Sequence, residues 1–399
     1  MRRALLGSVC LAVALTTACH DSTDPDSSSA VTPSVPEIPA QLSTTHLEDS
    51  IPDRYIVVLK DDVRDVAAET KRQLERHGGR LHFSYSRSLK GYAATLSPAE
   101  VLKLRQSARV KYIEADRMAQ GSYVQSSAVW GLDRIDQRFL PLNSSFTYAR
   151  TGLGVRIYVL DSGIRRTHQQ FGGRALAGAD FVKDGRGTSD CNGHGTHVAG
   201  TAGGSTYGVA KQATLVPVRV LGCDNKGSWS RIIAGIDWVT ANARKPAVAN
   251  MSLGGSGSRA VDEAVARSIN SGVVYTIAAM NDASDACNYS PARLNAALTV
   301  AASDQSDRRA SFTNYGRCVD LYAPGASVLS SFNTSDVATA LYWGTSMASP
   351  HVAGAAAQYL QAYPGATPAQ VSSALIGATT RDRISNPGAN TPNRLLFTR

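Results

Sequence analysis

A chain of 399 residues with 43% apolar content can bury a large core and has room for more than one independent unit, which excludes wholesale disorder. The formal charge of +9 is spread along the chain. It forms no dense Lys/Arg run interleaved with aromatics, so a nucleic-acid partner is not expected and the charge reads as solubility.

Residues 1–19 place Arg2 and Arg3 ahead of an apolar core of about a dozen residues, the build of a secretory signal. That core is too short to cross a membrane, and no later apolar stretch reaches spanning length, so no transmembrane helix is expected. The segment closes on "LTTAC", which resembles the lipobox of bacterial lipoproteins and makes Cys19 a candidate lipid carrier. Thr16 stands where a larger aliphatic residue is usual, so ordinary cleavage nearby is the alternative. Residues 20–50 are rich in Ser, Thr, Pro and Asp without apolar periodicity and read as a disordered linker.

The next unit, residues 51–120, alternates in a different way. Strand "RYIVVLK", a helix around 64–77, strands "RLHFSYS" and "GYAATL", a helix opened by "SPAE" and a strand "VKYIEAD" give the order β-α-β-β-α-β. That order suits a small α+β, ferredoxin-like sandwich. The polar stretch 118–129 reads as an exposed junction.

Beyond it, fully apolar strands alternate with helices. "GVRIYVLD", "TLVPVRVLG", "PAVANMSLGG" and "GVVYTIAAMN" are separated by helices near 194–203, 228–243 and 258–271. Strands buried on both faces with helical crossovers predict an α/β fold, a parallel sheet flanked by helices, with ligands held outside the carboxyl ends of the strands.

The polar residues at those ends carry the chemistry. "IYVLDSGI" ends a strand on Asp161, "CNGHGTHVAGT" heads a helix with His194, and "GTSMASPHVAG" heads another with Ser346. A serine hydroxyl becomes a useful nucleophile when an imidazole takes its proton, and the imidazole needs a carboxylate to fix its tautomer. Each residue alone also suits a turn or a helix cap. His194 and His197 could be read as a metal pair, but three-residue spacing without a nearby carboxylate is thin support. The order Asp, His, Ser on these elements matches the subtilisin arrangement.

With "VWGLDRIDQ" (129–137) and "ANMSLGG" (249–255), residues 128–399 resemble a subtilase catalytic domain of the proteinase K and aqualysin branch. The segment ending in "YIEAD" resembles the inhibitor propeptide that accompanies such proteases. The resemblance implies a secreted serine endopeptidase made as a self-processing zymogen: signal 1–19, linker 20–50, inhibitor-type propeptide 51–120 and peptidase domain 121–399. Its partners would be polypeptide substrates and its own propeptide as intramolecular inhibitor, and the expected assembly is a monomer. Lipid at Cys19 would anchor the precursor in the cell envelope.

The resemblance also assigns roles. Asn281 and the Ser346 amide would form the oxyanion hole. Ser252, Leu253 and Gly254 would hold the substrate as an added strand, faced by a second segment in which Gly227 and Trp229 match but Asn225 and Lys226 depart from the usual glycine-serine pair. Met280 departs too, because glycine usually precedes this asparagine, and a methionine there is expected to narrow the pocket toward small side chains. A second reading makes the chain a catalytically dead binding module whose oxyanion loop Met280 distorts.

Of the six cysteines, the four beyond the signal allow three pairings. The resemblance implies Cys191 with Cys223 and Cys287 with Cys318, each bridge contributing roughly 3 to 4 kcal/mol on the chain-entropy model. It implies structural calcium at Asp133, Asp136 and Gln137 and at Asp320, oxygen donors of the kind a hard cation takes. No cofactor is expected for catalysis.

Overall fold

The computed structural model describes residues 50–117 and 121–399. The signal with Cys19, the linker and residues 118–120 lie outside the described residues. The chain divides into two compact units at residues 119 and 120.

The first unit contains β1 (Ser50–Leu59), α1 (Val66–His77), β2 (Arg80–Tyr85), β3 (Gly91–Thr95), α2 (Pro98–Arg105) and β4 (Val110–Arg117). The sheet runs β2-β3-β1-β4 and every pairing is antiparallel. Local chemistry starts both helices: Asp65 accepts the Ala68 N–H at 2.9 Å, and Ser97 forms a capping box with Glu100 ahead of Pro98. Val57 and Leu59 alternate inward from β1 onto Val101 and Leu104.

The second unit opens with β5 (Tyr123–Ser126), α3 (Trp130–Ile135) and β6 (Ser145–Tyr148). The stretch expected as a plain junction therefore contains a strand, paired antiparallel with β6. Tyr123 and Val124 remain exposed, and β5 gains its partner across an intervening helix. That pairing leaves no local pattern to read.

The chain continues through β7 (Arg156–Asp161), β8 (Ala179–Asp180), α4 (His194–Gly203), β9 (Thr214–Arg219), α5 (Trp229–Asn242), β10 (Ala247–Met251), β11 (Gly255–Ser256), α6 (Arg259–Asn270), β12 (Val274–Ala278) and β13 (Tyr289–Ser290). It closes with β14 (Leu298–Ser303), β15 (Leu321–Pro324), β16 (Val328–Ser331), β17 (Thr339–Tyr342), α7 (Thr345–Ala362), α8 (Pro368–Ala378), β18 (Thr380–Arg381) and β19 (Arg394–Leu395). The main sheet has the order β18-β19-β15-β14-β12-β10-β7-β9-β8 and is parallel apart from β18.

Its two faces follow the strand period of two. Ile157, Val159, Val248 and Val274 pack with residues of α4 and α7, while Tyr158, Leu160, Ala249 and Tyr275 pack with residues of α5 and α6. From β7 the chain crosses to β9 through α4, then returns past β7 to β10 through α5 on the opposite face. That reversal opens a crevice at the carboxyl ends of the strands.

One buried ion pair ties the start of this unit to its far side. Arg134 on α3, fully buried, donates to both carboxylate oxygens of Asp307 at 2.6 and 2.8 Å. Removing one partner leaves a buried charge without compensation. Asp307→Ala is expected to destabilise the unit by about 3–5 kcal/mol, and an unchanged midpoint in equilibrium urea unfolding would refute this.

Candidate active site

Asp161 ends β7 and His194 begins α4, and the two meet: His194 Nδ1 lies 2.7 Å from Asp161 Oδ1. The close approach requires Gly195, because a Cβ there would sit 2.1 Å from the Gly163 carbonyl oxygen. Burial works against the imidazolium, but the Asp161 charge, its hydrogen bond and the Asp190 charge outweigh it, so the pKa of His194 is raised above its ordinary 6.5. His197, one turn on, points elsewhere. Its Nε2 meets the Val328 and Ala340 carbonyls at 3.0 and 3.1 Å and burial lowers its pKa to about 4, so it is a neutral structural histidine.

Ser346 is the second residue of α7, and its hydroxyl donates to the Ser252 carbonyl at 3.2 Å. Its N–H is one of the first-turn amides that a helix leaves without an internal acceptor. Its carbonyl is unusual as well. Pro350 stands four residues on and has no N–H to give, so the helical bond to Ser346 is missing. The Ser252 hydroxyl donates to that carbonyl instead, at 2.7 Å. Asn250, fully buried at 0% exposure, donates to Ser252 Oγ and accepts from Thr276 and Ser349.

Asn281 follows the end of β12. Its Oδ1 accepts from the Thr345 N–H at 2.8 Å and the Thr345 hydroxyl at 3.0 Å. A backbone amide can only donate, so the atom facing it must be the amide oxygen, and Nδ2 is left to donate elsewhere. Met280, just before it, has φ +78, a left-handed conformation that glycine takes freely and methionine does not. Its N–H donates to Thr345 Oγ1 at 3.1 Å and its carbonyl accepts from Asn314 N–H at 2.9 Å.

The Met280 thioether lies against Gly254, where an added Cβ would come within 2.7 Å of Sδ. The half-buried side chain therefore lies beside the segment Ser252, Leu253 and Gly254. Trp229 packs its ring against Gly255, which brings the segment of Gly227 next to the same strand. Disulfides join Cys191 to Cys223 and Cys287 to Cys318.

The oxygen-rich residues differ in how far the protein satisfies them. Asp133 accepts the Asn143 and Ser144 N–H groups at 3.2 and 2.6 Å, and the Gln137 amide is spent on the Phe139 and Pro141 carbonyls. Asp136 has one oxygen on Thr147 N–H and the other buried without a partner among the described residues, and burial raises its pKa. Asp320, just before the amino end of β15 and so on the edge opposite Asp161, His194 and Ser346, receives only Thr299 N–H, at 2.8 Å, among the described residues. Among the described residues, the one cluster of three His, Cys, Asp or Glu groups is Asp184 with Cys191 and Cys223. Those cysteines are tied up in a disulfide, so it offers no thiolate ligands.

Several participants were not visible as such in the sequence. Thr345 sits inside the serine motif yet orients Asn281, Asp190 directly precedes Cys191, and Asn250 shows itself only as a polar residue within an apolar strand.

Residues 152–395 match the model of the Subtilase family, and residues 54–120 match that of the Peptidase inhibitor I9 family. The chain belongs to the subtilase family. An extracellular serine proteinase of Thermus sp. (strain Rt41A) is 52% identical over 88% of this chain and 90% of its own length. The alkaline serine exoprotease A of Vibrio alginolyticus is 44% identical over 90% of this chain and 70% of its own. A crystal structure of a cold-adapted subtilisin-like serine proteinase superposes with a TM-score of 0.67 at 50% identity, covering 69% of this chain and 99% of that one. This subtilase is a serine-type endopeptidase with an I9-type propeptide at its amino side.

Asp320 generates a pH test. Burial pushes its carboxyl from the ordinary 3.8 up to about 6, so the folded chain holds this proton more tightly than the unfolded one. Its contribution to stability is fully present below about pH 4 and is lost as pH rises through about 6. Asp320→Asn should remove that part of the fall in Tm across this window in chelator, and a wild-type slope in the variant would contradict the assignment.

Proposed function

We propose that this subtilase is a secreted, self-processing zymogen that hydrolyses peptide bonds through Asp161, His194 and Ser346. The observation that carries the reading is the 2.7 Å bond from His194 to the buried Asp161, with Ser346 on the first turn of α7 at the same edge of the sheet. Ser346 Oγ leaves the Ser252 carbonyl and attacks the substrate carbonyl carbon while His194 takes its proton. Asp161 holds the imidazole in the right tautomer and stabilises the imidazolium. Asn281 Nδ2 and the Ser346 N–H donate to the developing oxyanion, the second aided by the positive end of α7. The amide bond breaks as His194 gives its proton to the departing amine, and water, activated by the same histidine, releases the acyl group from Ser346.

Extended substrate would lie along Ser252, Leu253 and Gly254 and along the segment of Gly227 and Trp229, recognised mainly through its backbone and hence broadly. The I9-type unit would block the cleft until a cut between residues 119 and 125 frees the enzyme. Calcium would be structural. Among the described residues Asp320 and Asp136 are carboxylates whose charged form burial disfavours, and a bound cation would keep Asp320 ionised and flatten the pH slope above.

The intact mass of the secreted chain, beside that of its Ser346→Ala version, tests the reading. Only the former should lose the I9-type unit through the 119–125 cut, and masses that retain that unit in both chains in calcium buffer would count against it. Asn281→Ala is expected to lower kcat by about a hundred- to a thousandfold, a range taken from a subtilisin. Wild-type turnover would remove Asn281 from the mechanism.

The thioether against Gly254 narrows the space for the side chain that precedes the scissile bond, which favours small residues there. In Met280→Gly, kcat/KM for peptides with a large apolar residue at that position should rise at least about tenfold relative to alanine. An unchanged preference would place the pocket elsewhere.

A further inference from the structure

Asp190 precedes the bridge Cys191–Cys223 and makes no contact with Asp161 or His194 among the hydrogen bonds of the described residues, yet its carboxylate is the most heavily used near them. Oδ1 accepts from Ser162 Oγ at 2.9 Å, Asn192 N–H at 3.0 Å and Gly193 N–H at 2.8 Å. Oδ2 accepts from Thr196 N–H at 2.8 Å and Thr196 Oγ1 at 2.6 Å. Ser162 Oγ in turn accepts from Gly195 N–H at 2.9 Å, and the Asp190 carbonyl is held by Asn333 Nδ2 at 3.1 Å.

These bonds join two things. Ser162 adjoins Asp161 at the end of β7, while Gly193, Gly195 and Thr196 form the start of α4 around His194. We propose that Asp190 is a positioning residue for His194, stapling the carboxyl end of β7 to the amino end of α4 and neutralising the positive end of that helix. This rests on the reading of His194 as the general base.

The electrostatic half follows from where His194 stands. The first residue of a helix feels the unsatisfied N–H groups as a partial positive charge of roughly half a unit, which opposes a second positive charge on the ring. A carboxylate accepting from those same amides offsets that field, and the Asp190 charge does favour the imidazolium. The other titratable groups facing this corner are Asp161 on β7, His197 on α4, Arg219 on β9 with its partner Asp184, and Tyr342 on β17. Arg219 is neutralised by Asp184, to which it donates at 2.6 and 2.7 Å, and His197 is uncharged at neutral pH. Asp161 and Asp190 are therefore the charges that set the ring's balance.

The test compares kcat and KM across pH on a soluble peptide for the processed wild type, Asp190→Asn, Asp190→Glu and Ser162→Ala. Asp190→Asn is expected to lose about ten- to a hundredfold in kcat at little change in KM. Its acid limb should move to lower pH, because a neutral imidazole is retained further down when the nearby anion is gone. Asp190→Glu should restore the limb but not the full kcat, and Ser162→Ala should lower kcat with the limb in place. A wild-type limb in Asp190→Asn, whatever its kcat, overturns the electrostatic role, and wild-type kcat in Ser162→Ala overturns the staple. Should Asp190→Asn fail to accumulate, Asp190→Glu and Ser162→Ala decide alone: a displaced limb in the first or an undiminished kcat in the second overturns the proposal. A wild-type chain without Ser346-dependent hydrolysis sinks the functional reading and this inference with it, and is seen before any variant is measured.

Discussion

Pro350 removes one hydrogen bond, and much of the site is arranged around its absence. A carbonyl in the first turns of a buried helix has neither water nor an i+4 amide to turn to, and an unpaired group there is expensive. The Ser346 carbonyl is satisfied by Ser252 Oγ, which is held by Asn250, which also takes Thr276 and Ser349. The gap thus fastens the first turn of α7 to β10 through side chains with no slack. It also brings the Ser252 carbonyl to the Ser346 hydroxyl. The proposed nucleophile and the proposed substrate strand are placed by one network, so neither can shift without the other.

The same logic governs the other two corners. α4 and α7 both point their amino ends at the carboxyl edge of the sheet, where the first-turn amides are free to act on what lies there. At α7 the Thr345 N–H is taken by Asn281 and the Met347 N–H by Gly344, while the Ser346 N–H has no acceptor among the described residues, which suits an oxyanion. At α4 the amides of His194, Gly195 and Thr196 are taken by Asn192, Ser162 and Asp190. In the proposed mechanism one helix end would be kept for the developing charge on the substrate, and the other is closed so that its histidine could carry a proton.

The sheet and its crossovers were legible because continuous apolar strands alternating with helical segments leave local signatures. β7, β9, β10 and β12 and the helices between them can be read from the chain, as can the position of Asp161, His194 and Ser346 at element ends. β5 could not be read, since its pairing with β6 is separated by α3 and its residues are polar or exposed. Thr345, Asn250 and Asp190 were equally hidden: each acts through a partner distant in the chain, and threonine, asparagine and aspartate occur in every loop. The sequence pattern names residues that need a particular type, whereas positioning residues need only a particular place.

Met280 is where local preference and function conflict. A methionine held at φ +78 carries strain of about 1–3 kcal/mol that glycine would not, and a chain free to relax would turn that peptide and take Asn281 with it. It does not relax, because Met280 N–H and carbonyl are both engaged, by Thr345 and Asn314, and Asn281 Oδ1 is held twice by Thr345. The reading of a dead module needs the oxyanion loop to be distorted by this side chain. The loop instead keeps the left-handed turn, and the bulk of the thioether falls on Gly254, the neighbour with no Cβ to oppose it. In the proposed mechanism the substitution would then bear less on the donors to the oxyanion than on the space that would receive a side chain, on selectivity more than on turnover.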